Sequence, residues 1–248
     1  EEHPSLWGGL IDLDPAYSPA SAADAVMTLV TGAGAGEDQV AFRGDRRYGL
    51  RLVRATIAAN DGIGLRADAT YVIAGGLGAL GLKVAHWMVE CGARRLLLLG
   101  RTGLPARHEW DTTDSPRDRA RILAIRKMEA LGASVRAAAV DITDAAQLLA
   151  TVERLATEGW PPVAGIIQCA GVLQGRLVGD GSDDDFEAVW RAKAQGTRNL
   201  DAVTAGQPLD FFVVFSSMAS FLPSAGQASY AAANCFLDAF AADSRAAG

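Results

Sequence analysis

The feature that most constrains this chain is an alternation of strand-like and helix-like segments that begins at Thr70. The strand-like runs, such as "TYVIAG" and "RLLLLGR", are short and apolar, which is typical of strands covered on both faces. The segments between them place apolar residues at helical spacing. This alternation predicts an α/β fold with a Rossmann-like, doubly wound parallel sheet. The predicted strands are 70–75, 95–101, 134–142, 163–171 and 210–217, and the predicted helices are 79–93, 119–133, 145–159, 183–205 and a last one that holds Tyr230.

Residues 1–60 follow a different pattern. "WGGLIDLD" predicts a short strand, "SPASAADAVMTLVTG" a helix that ends at Gly32, and "DQVAFRGDRRYGLRLV" a hairpin. This stretch is too small to fold alone and is typical of the tail of a larger unit. "ANDGIGLRADA", at 59–69, predicts a linker. A long insert at 102–118 predicts either a mobile surface loop or a functional lid.

Composition excludes several classes of protein. The net charge of −6 and the pI near 5.1 argue against a nucleic-acid-binding protein. The apolar runs are too short to span a membrane, and the N-terminus has no signal-peptide pattern. The histidines have no metal-ligand spacing, so no metal site is predicted. Three scattered cysteines predict reduced core thiols and a cytoplasmic location: Cys91, Cys169 and Cys235.

A glycine-rich loop follows the first strand of the alternation. Gly76, Gly78 and Gly81 satisfy G-x-G-x-x-G between a strand and a helix, and Gly75 adds a fourth small residue. Glycines let the backbone turn tightly and approach a pyrophosphate, which then lies at the N-terminus of the helix. The pattern favours dinucleotide binding over a simple glycine-rich turn.

The ends of the next strands indicate which dinucleotide binds. Arg101 ends the second strand without an acidic neighbour, and an arginine there accommodates the 2′-phosphate of NADP. The alternative is a solvated arginine in a turn. Asp141, after the third strand, could accept a hydrogen bond from adenine, although Asp141 or Thr143 could equally cap the following helix. Ala170 and Gly171, after the fourth strand, are small enough for a nicotinamide ribose to lie against the backbone.

The segment "SYAAANCFLDAF" places Tyr230 and Asn234 one helical turn apart. In short-chain dehydrogenases a lysine normally follows the catalytic tyrosine by one turn, because tyrosine is a poor acid at neutral pH and needs a nearby cation. The only lysine that follows Lys127 is Lys193, on the long helix before the fifth strand. Ser217 ends that strand. Taken singly, these residues are more often a packing tyrosine, a turn serine and a solvated lysine; their joint occurrence favours a site.

With these residues, the chain resembles the ketoreductase domain of modular type I polyketide synthases, a branch of the short-chain dehydrogenase/reductase superfamily. "YVIAGGLGALGLKVAHWMVECGARRLLLLGRTG" resembles the nucleotide-binding segment of that family, and "FFVVFSSMASFLPSAGQASYAAANCFLDAFAADSRAAG" its catalytic segment. "HPSLWGGLIDLDP" through "GEDQVAFRGDRRYGLRLVR" resembles the end of the catalytically silent structural half. The lysine and the asparagine have exchanged places in this family, so its tetrad is complete here.

The resemblance implies a role for each residue of the tetrad. Tyr230 would donate the proton to the substrate carbonyl, and Ser217 would hydrogen-bond that carbonyl. Lys193 would hold the nicotinamide ribose and stabilise the tyrosinate, and Asn234 would anchor a relay of water or hydrogen bonds behind them. NADPH would reduce a β-ketoacyl chain tethered to an acyl carrier protein, among neighbouring synthase domains. The implied cofactor-binding set is Gly75, Gly76, Leu77, Gly78, Leu80, Gly81, Arg101, Asp141, Ile142, Ala170, Gly171, Lys193 and Tyr230.

The chain departs from the expected family pattern outside the tetrad. Ala74 stands where a threonine usually opens the glycine loop, and Gly100 replaces a serine before Arg101. Gln168 and Cys169 replace the usual His-Ala before Ala170. We expect weaker or altered cofactor binding at most from these changes.

The positions that control stereochemistry carry neither family fingerprint. Members that give the D-alcohol have Leu-Asp-Asp where this chain has Leu173, Gln174 and Gly175. Members that give the L-alcohol usually have a tryptophan at the position of Leu222. Gln227 fits an L-type enzyme that does not epimerise the α-carbon, so the L-alcohol is favoured.

The resemblance predicts two domains, residues 1–60 as the C-terminal remnant of the structural subdomain with its linker, and 61–248 as a catalytic subdomain with a truncated C-terminus. One alternative is a free-standing short-chain dehydrogenase, which would start near Thr70. Another is a non-reducing scaffold that binds NADPH or neighbouring domains without turnover. The intact tetrad favours the reductase.

Overall fold

The computed structural model describes residues 2–32, 36–55 and 64–247. The predicted linker at 59–69 lies partly outside these described residues. The chain divides into two compact units, one that takes in His3–Asp61 and one that takes in Gly62–Gly248.

The first unit is a three-stranded sheet with one helix. Ser18 caps the helix by accepting a hydrogen bond from Ser21 N (3.1 Å), and Pro19 occupies the first turn. The central strand is parallel to the first and antiparallel to the third, with which it forms the predicted hairpin. The strand, helix and hairpin are thus confirmed. The elements are β1 (Leu10–Asp12), α1 (Pro19–Val30), β2 (Gln39–Arg43) and β3 (Arg46–Gly49), after a short 3₁₀ turn at Pro4–Leu6.

The second unit is built on a five-stranded, wholly parallel sheet. Its strands are β4 (Thr70–Ala74), β5 (Arg95–Gly100), β6 (Ser134–Ala139), β7 (Val163–Gln168) and β8 (Phe211–Val214), in the order β6-β5-β4-β7-β8. The strand order reverses between β4 and β7, which is where open α/β sheets bind ligands, beyond the carboxyl ends of the strands. The predicted Rossmann-like, doubly wound sheet is confirmed.

Helices cover both faces of this sheet, and polar caps set where several of them begin. Ser115, Asp144 and Ser182 each accept a hydrogen bond from a main-chain amide three residues ahead. The alternative that Asp141 or Thr143 caps the helix after β6 is therefore wrong, because Asp144 does. None of the helices in the described part of the chain is long and apolar enough to cross a bilayer. The helices are α2 (Ala79–Glu90), α3 (Pro116–Ala130), α4 (Ala145–Thr157), α5 (Asp183–Trp190), α6 (Gly196–Val203) and α7 (Ala228–Ala247).

Two apolar cores lie on opposite faces of the sheet. Along β4, Tyr71 and Ile73 pack into one core, whereas Val72 and Ala74 pack into the other. All four side chains are at most 1% exposed, as the uninterrupted apolar run predicts. Three phenylalanines of β8 and α7 and Trp190 of α5 extend the packing, and the Trp190 and Phe236 rings meet at 5.5 Å.

One long helical segment contains an irregularity that its sequence does not reveal. Between α5 and α6 the residues Arg191–Gln195 form a π-helical turn, and Lys193 lies in its middle. Single π turns inside α-helices are rare and are frequent at functional sites. The predicted helix over 183–205 is thus confirmed, with a local change of hydrogen bonding at its lysine.

Two sequence-based expectations need correction. The insert at 102–118 is shorter than predicted, because α3 begins at Pro116. Trp110 anchors it, since its ring is 7% exposed within the core and its indole N–H donates to Pro105 O (3.0 Å). The three cysteines are free thiols, but two of them are exposed rather than core residues: Cys91 and Cys235.

Candidate active site

The glycine pattern spans the loop between β4 and α2 and the first turn of α2, and three of its glycines leave no room for a side chain: Gly75, Gly76 and Gly81. Gly75 has a φ of +75°, and a Cβ there would lie 2.7 Å from Ala170 N, just beyond β7. A Cβ on Gly81 would lie 2.6 Å from Gly76 Cα. The glycines therefore let the loop, the first turn of α2 and the end of β7 meet backbone to backbone, as a cradle for a dinucleotide requires.

Helix α2 begins at this loop without a side-chain cap, because its N-cap residue is Gly78. First-turn amides without an intrahelical partner favour an anion at this end. In that turn Leu80 is 45% exposed, whereas Leu77 is 3% exposed and belongs to the core. Of the two leucines in the predicted cofactor set, Leu80 presents its side chain at the loop surface and Leu77 presents only its main chain.

A buried arginine donates a hydrogen bond to the glycine loop, and nothing in the sequence indicates this contact. Arg121 of α3 is 7% exposed, and its Nε donates to Leu77 O (3.0 Å). Its Nη1 lies 3.3 Å from the carboxylate of Asp118, which balances the buried charge. An arginine among several others on an amphipathic helix gives no signal that distinguishes it from a solvated one.

Arg101 and Asp141 follow the neighbouring strands β5 and β6. Arg101 is exposed, and its side chain makes no hydrogen bond to the described residues. Asp141 accepts a hydrogen bond from Thr143 N (2.9 Å). Burial acts to raise the pKa of Asp141, but the hydrogen bonds of Thr143 and the charges of Arg101 and Arg191 outweigh it and lower that pKa. Asp141 is therefore ionised, close to two cationic groups at the carboxyl edge of the sheet.

Ile142 turns away from this edge. Its side chain is 6% exposed and packs against Gly196, where an added Cβ would lie 2.5 Å from Ile142 Cδ1. Its carbonyl accepts a hydrogen bond from Asn199 Nδ2 (2.8 Å). Any contact of Ile142 with a cofactor would come from its amide.

Lys193 and Tyr230 are brought together. Lys193 is 5% exposed; its Nζ donates to Phe215 O (2.8 Å) and lies 5.3 Å from the centroid of the Tyr230 ring. Burial lowers the pKa of Lys193, while the neighbouring Cys169 and Asp238 act in the opposite direction. In the described chain Lys193 forms no ion pair, so it is a buried cation next to a tyrosine ring.

Asn234 lies one turn beyond Tyr230 on α7 and is fully buried. Its Nδ2 donates to Tyr230 O (2.7 Å), and its main-chain carbonyl accepts from Ser216 Oγ (3.3 Å). Its Oδ1 is buried and accepts no hydrogen bond from the described residues. A buried amide oxygen without a partner is costly, which is consistent with a polar relay at this position.

The two serines after β8 make different hydrogen bonds. Ser216 ties the strand end to α7 through Asn234. Ser217 caps a 3₁₀ turn at Met218–Ser220, where its Oγ accepts a hydrogen bond from Ala219 N (3.2 Å). A hydroxyl that accepts in this way keeps its proton for another acceptor. Ser217 can therefore donate a hydrogen bond to a substrate oxygen.

Beyond β7, Ala170 and Gly171 lie between the glycine loop and the lysine. Ala170 faces Gly75, and a Cβ on Gly171 would lie 3.2 Å from Lys193 Cε. Gln168 is 1% exposed, and its amide bridges Ala170 N and the π turn. The sequence marked Gln168 only as a departure from the family pattern, and its hydrogen bonds could not be inferred from it.

The residues expected to control stereochemistry lie in the segment after β7 and in the segment between β8 and α7. Leu173 and Leu222 are 64% and 58% exposed, and Gly175 is also exposed. With its amide nitrogen toward α5, Gln174 donates to Asp185 O (2.8 Å). Gln227 precedes α7, and its carbonyl accepts from Ala231 N (2.7 Å). Both leucines therefore expose apolar surface, while Gln174 joins the loop after β7 to α5.

Comparison with known proteins gives one family. A family model described as the KR domain matches residues 69–248. The 5-methyl-1-naphthoate synthase of Streptomyces sahachiroi is 40% identical over 100% of this chain and 14% of its own length. The 6-methylsalicylic acid synthase of Arthrobotrys oligospora is 41% identical over 97% of this chain and 13% of its own length. The chain thus spans about one seventh of these curated relatives.

Solved structures agree with this family. A structure of A-type ketoreductases from a modular polyketide synthase superposes with a TM-score of 0.83 and 36% identity, over 100% of this chain and 50% of that one. The first ketoreductase of the tylosin polyketide synthase gives a TM-score of 0.83 and 35% identity, over 100% of this chain and 49% of that one. The similarity therefore extends over both compact units.

Proposed function

Because this chain belongs to the KR family, the ketoreductase domains of polyketide synthases, it is an oxidoreductase of the short-chain dehydrogenase type, and we propose that it reduces a β-ketoacyl thioester to the β-hydroxyacyl thioester. The acyl chain would be carried by an acyl carrier protein and would come from neighbouring domains of a synthase. A cytoplasmic location belongs to the same proposal.

The observation that carries this proposal is the environment of Lys193. Burying a lysine to 5% exposure costs free energy when its ammonium donates to a neutral main-chain carbonyl, as Lys193 does to Phe215 O. Buried ionisable groups with shifted pKa values are concentrated at functional sites. A cation 5.3 Å from the Tyr230 ring stabilises the anionic form of that tyrosine, which proton donation produces. A role in proton transfer from Tyr230 would therefore account for the burial of Lys193 at this position.

The other residues would complete this chemistry. Tyr230 gives its proton to the carbonyl oxygen of the substrate, and Ser217 donates a hydrogen bond to the same oxygen. Asn234 offers its buried Oδ1 as the acceptor that begins a proton relay behind Lys193. A nicotinamide cofactor held in the cradle of the glycine loop would supply the hydride.

KR domains bind a nicotinamide cofactor, and the cradle formed by the glycine loop fits one. We assign the pyrophosphate to this loop and the first turn of α2. Arg101, exposed and free of other hydrogen bonds among the described residues, is suited to the 2′-phosphate that distinguishes NADPH from NADH. Asp141 would face the adenine, and Ala170 and Gly171 the nicotinamide ribose.

We further propose that residues 1–60 are the C-terminal part of a structural subdomain and that residues 61–248 belong to the catalytic subdomain. The support is the coverage of this chain by ketoreductase structures in which it corresponds to about half of the other chain. Under this proposal, the small sheet of the first unit completes its core with residues of the same synthase.

The test is the reduction of ketoacyl thioesters by the domain with its natural flanking sequence. A racemic 2-methyl-3-ketoacyl thioester and an unsubstituted 3-ketoacyl thioester are each supplied with NADPH or NADH, and the alcohols are separated by chiral chromatography. We expect NADPH-dependent formation of mainly the L-alcohol. A dominant D-alcohol would overturn the stereochemical part, and NADPH binding without reduction would favour the scaffold function.

A further inference from the structure

The last residue of β7 joins two parts of the site through a single amide. Gln168 is 1% exposed; its Oε1 accepts a hydrogen bond from Ala170 N (2.8 Å), and its Nε2 donates to Ala192 O (3.0 Å). The two bonds use opposite ends of the amide, so they fix its orientation. Gln168 therefore links the strand end below the cofactor cradle to the helix that carries Lys193.

The acceptor on the helix lies in the π turn. A π turn replaces regular i to i−4 hydrogen bonds with i to i−5 bonds, as between Gly196 N and Arg191 O, and side chains can serve its other carbonyl groups. Ala192 O accepts from Gln168 Nε2, and Lys193 O accepts from Thr197 Oγ1 (2.6 Å) as well as from Gly196 N. Two consecutive carbonyls at the lysine are thus held by side chains, and one of these side chains comes from the sheet.

The main-chain amide that donates to Gln168, Ala170 N, lies beside the glycine loop. Ala170 N belongs to the residue that Gly75 approaches at backbone contact. A shift at Ala170 would therefore move the cradle and, through Gln168, the π turn with Lys193. The side chain of Lys193 depends on this register, because its Nζ must reach both Phe215 O and the face of Tyr230.

We propose that Gln168 is a positioning residue that sets the place of the Lys193 ammonium relative to Tyr230 and to the end of β7. This inference rests on the proposed reductase function and adds to it a residue that touches neither substrate nor the transferred proton. The requirement is for one donor and one acceptor on a single side chain. Methionine supplies no donor and only a weak acceptor, and glutamate, when ionised, supplies only the acceptor.

The test compares Gln168→Met and Gln168→Glu with a matched control, Thr70→Val, in the domain with its natural flanking sequence. Thr70 is likewise buried, and its Oγ1 donates to Pro161 O (2.6 Å) at the opposite edge of the same sheet. Gln168→Met and Thr70→Val each remove a side-chain-to-carbonyl hydrogen bond, and Gln168→Glu removes one at a pH at which the glutamate is ionised. The control leaves the carboxyl edge of the sheet untouched.

Three measurements are made on each variant: kcat and KM for the ketoacyl thioester, NADPH affinity by fluorescence, and the pKa of Lys193 by NMR of labelled lysine. The last is practical because the chain contains only Lys83, Lys127 and Lys193 as lysines. We expect both Gln168 variants to lower kcat about ten- to a hundredfold, with a much smaller change in KM for the thioester, since a misplacement of about 1 Å has effects of this size. The titration of Lys193 should shift in both, and Thr70→Val should change only thermal stability.

If both Gln168 variants keep wild-type kcat and the wild-type titration of Lys193, the inference is overturned. If Gln168→Met does not fold, Gln168→Glu decides, because it keeps the shape and the acceptor. Failure of the proposed function looks different: the wild-type domain then reduces no thioester, while the Lys193 titration and the NADPH affinity still show whether Gln168 positions the lysine.

Discussion

The substitution Gly81→Ala tests the cofactor cradle most sharply. A Cβ at this position would overlap the Gly75 carbonyl and lie 2.6 Å from Gly76 Cα, whereas ordinary contact begins at 3.4 Å. The loop or the first turn of α2 would have to move by more than about 0.8 Å to restore ordinary contact, since the Gly75 oxygen lies closer still. Both neighbours are main-chain atoms of the loop, so no side chain can rotate away to relieve the overlap.

Two effects of known size oppose each other in the stability of this variant. Overpacking costs about 1–3 kcal/mol, and alanine in place of glycine in a helix returns about 0.5–1 kcal/mol. We expect a net loss of about 1–2 kcal/mol, or a decrease in Tm of about 2–8 °C for a unit of this size. The moved loop should also lose at least one charge-assisted hydrogen bond to the pyrophosphate, worth about 1.5–3 kcal/mol, which raises the Kd for NADPH about ten- to a hundredfold.

The assay is fluorescence titration with NADPH, combined with thermal unfolding. The control is Gly179→Ala, in the same unit, where an added Cβ meets nothing within 4 Å. We expect the control to bind NADPH as the wild type does. Wild-type affinity and wild-type Tm in Gly81→Ala would refute the assignment of this loop as a tightly packed cofactor cradle.

Three further outcomes follow from the site. Burial lowers the pKa of Lys193 from its ordinary value of 10.5, and the protonated lysine is the active form. As the pH rises, kcat should therefore begin to decrease before pH 10.5 is reached; a constant kcat up to that pH would contradict this role. Asn234→Leu removes an unsatisfied buried oxygen and also the hydrogen bond from Nδ2 to Tyr230 O; these two effects on stability oppose each other, so Tm should change little while kcat falls about tenfold or more, and equal losses of both would indicate a purely structural asparagine. Arg101→Ala should raise the Kd for NADPH about ten- to a hundredfold and leave that for NADH unchanged; equal effects on both cofactors would place the 2′-phosphate elsewhere.

The sheet and the glycine loop could be predicted from the sequence because local patterns determine them. Strand β4 reads as an apolar run, and its residues are buried on both faces, as Tyr71 and Val72 illustrate on opposite sides. Glycines at Gly75 and Gly81 mark backbone contacts that the structure contains. In each case the residues that form the feature are neighbours in the chain.

The remaining features depend on tertiary contacts and could not be predicted. The π turn around Lys193 consists of ordinary helix-forming residues, and its carbonyls are satisfied partly by Gln168 from another element. Arg121 is buried because Leu77 O and Asp118 meet its guanidinium in space. The sequence shows residue types and local spacing, but it does not show which distant groups complete their hydrogen bonds.

The measurement that tests the central claim most directly is ketoacyl-thioester-dependent NADPH oxidation by wild type and Tyr230→Phe, with NADPH affinity measured on both. The phenylalanine keeps the ring above Lys193 Nζ and removes only the hydroxyl. If Tyr230 is the proton donor, turnover should fall about a hundredfold or more while NADPH affinity stays at the wild-type value. Wild-type turnover in Tyr230→Phe would contradict the claim that this tyrosine, with the buried lysine beside it, carries out the proton transfer.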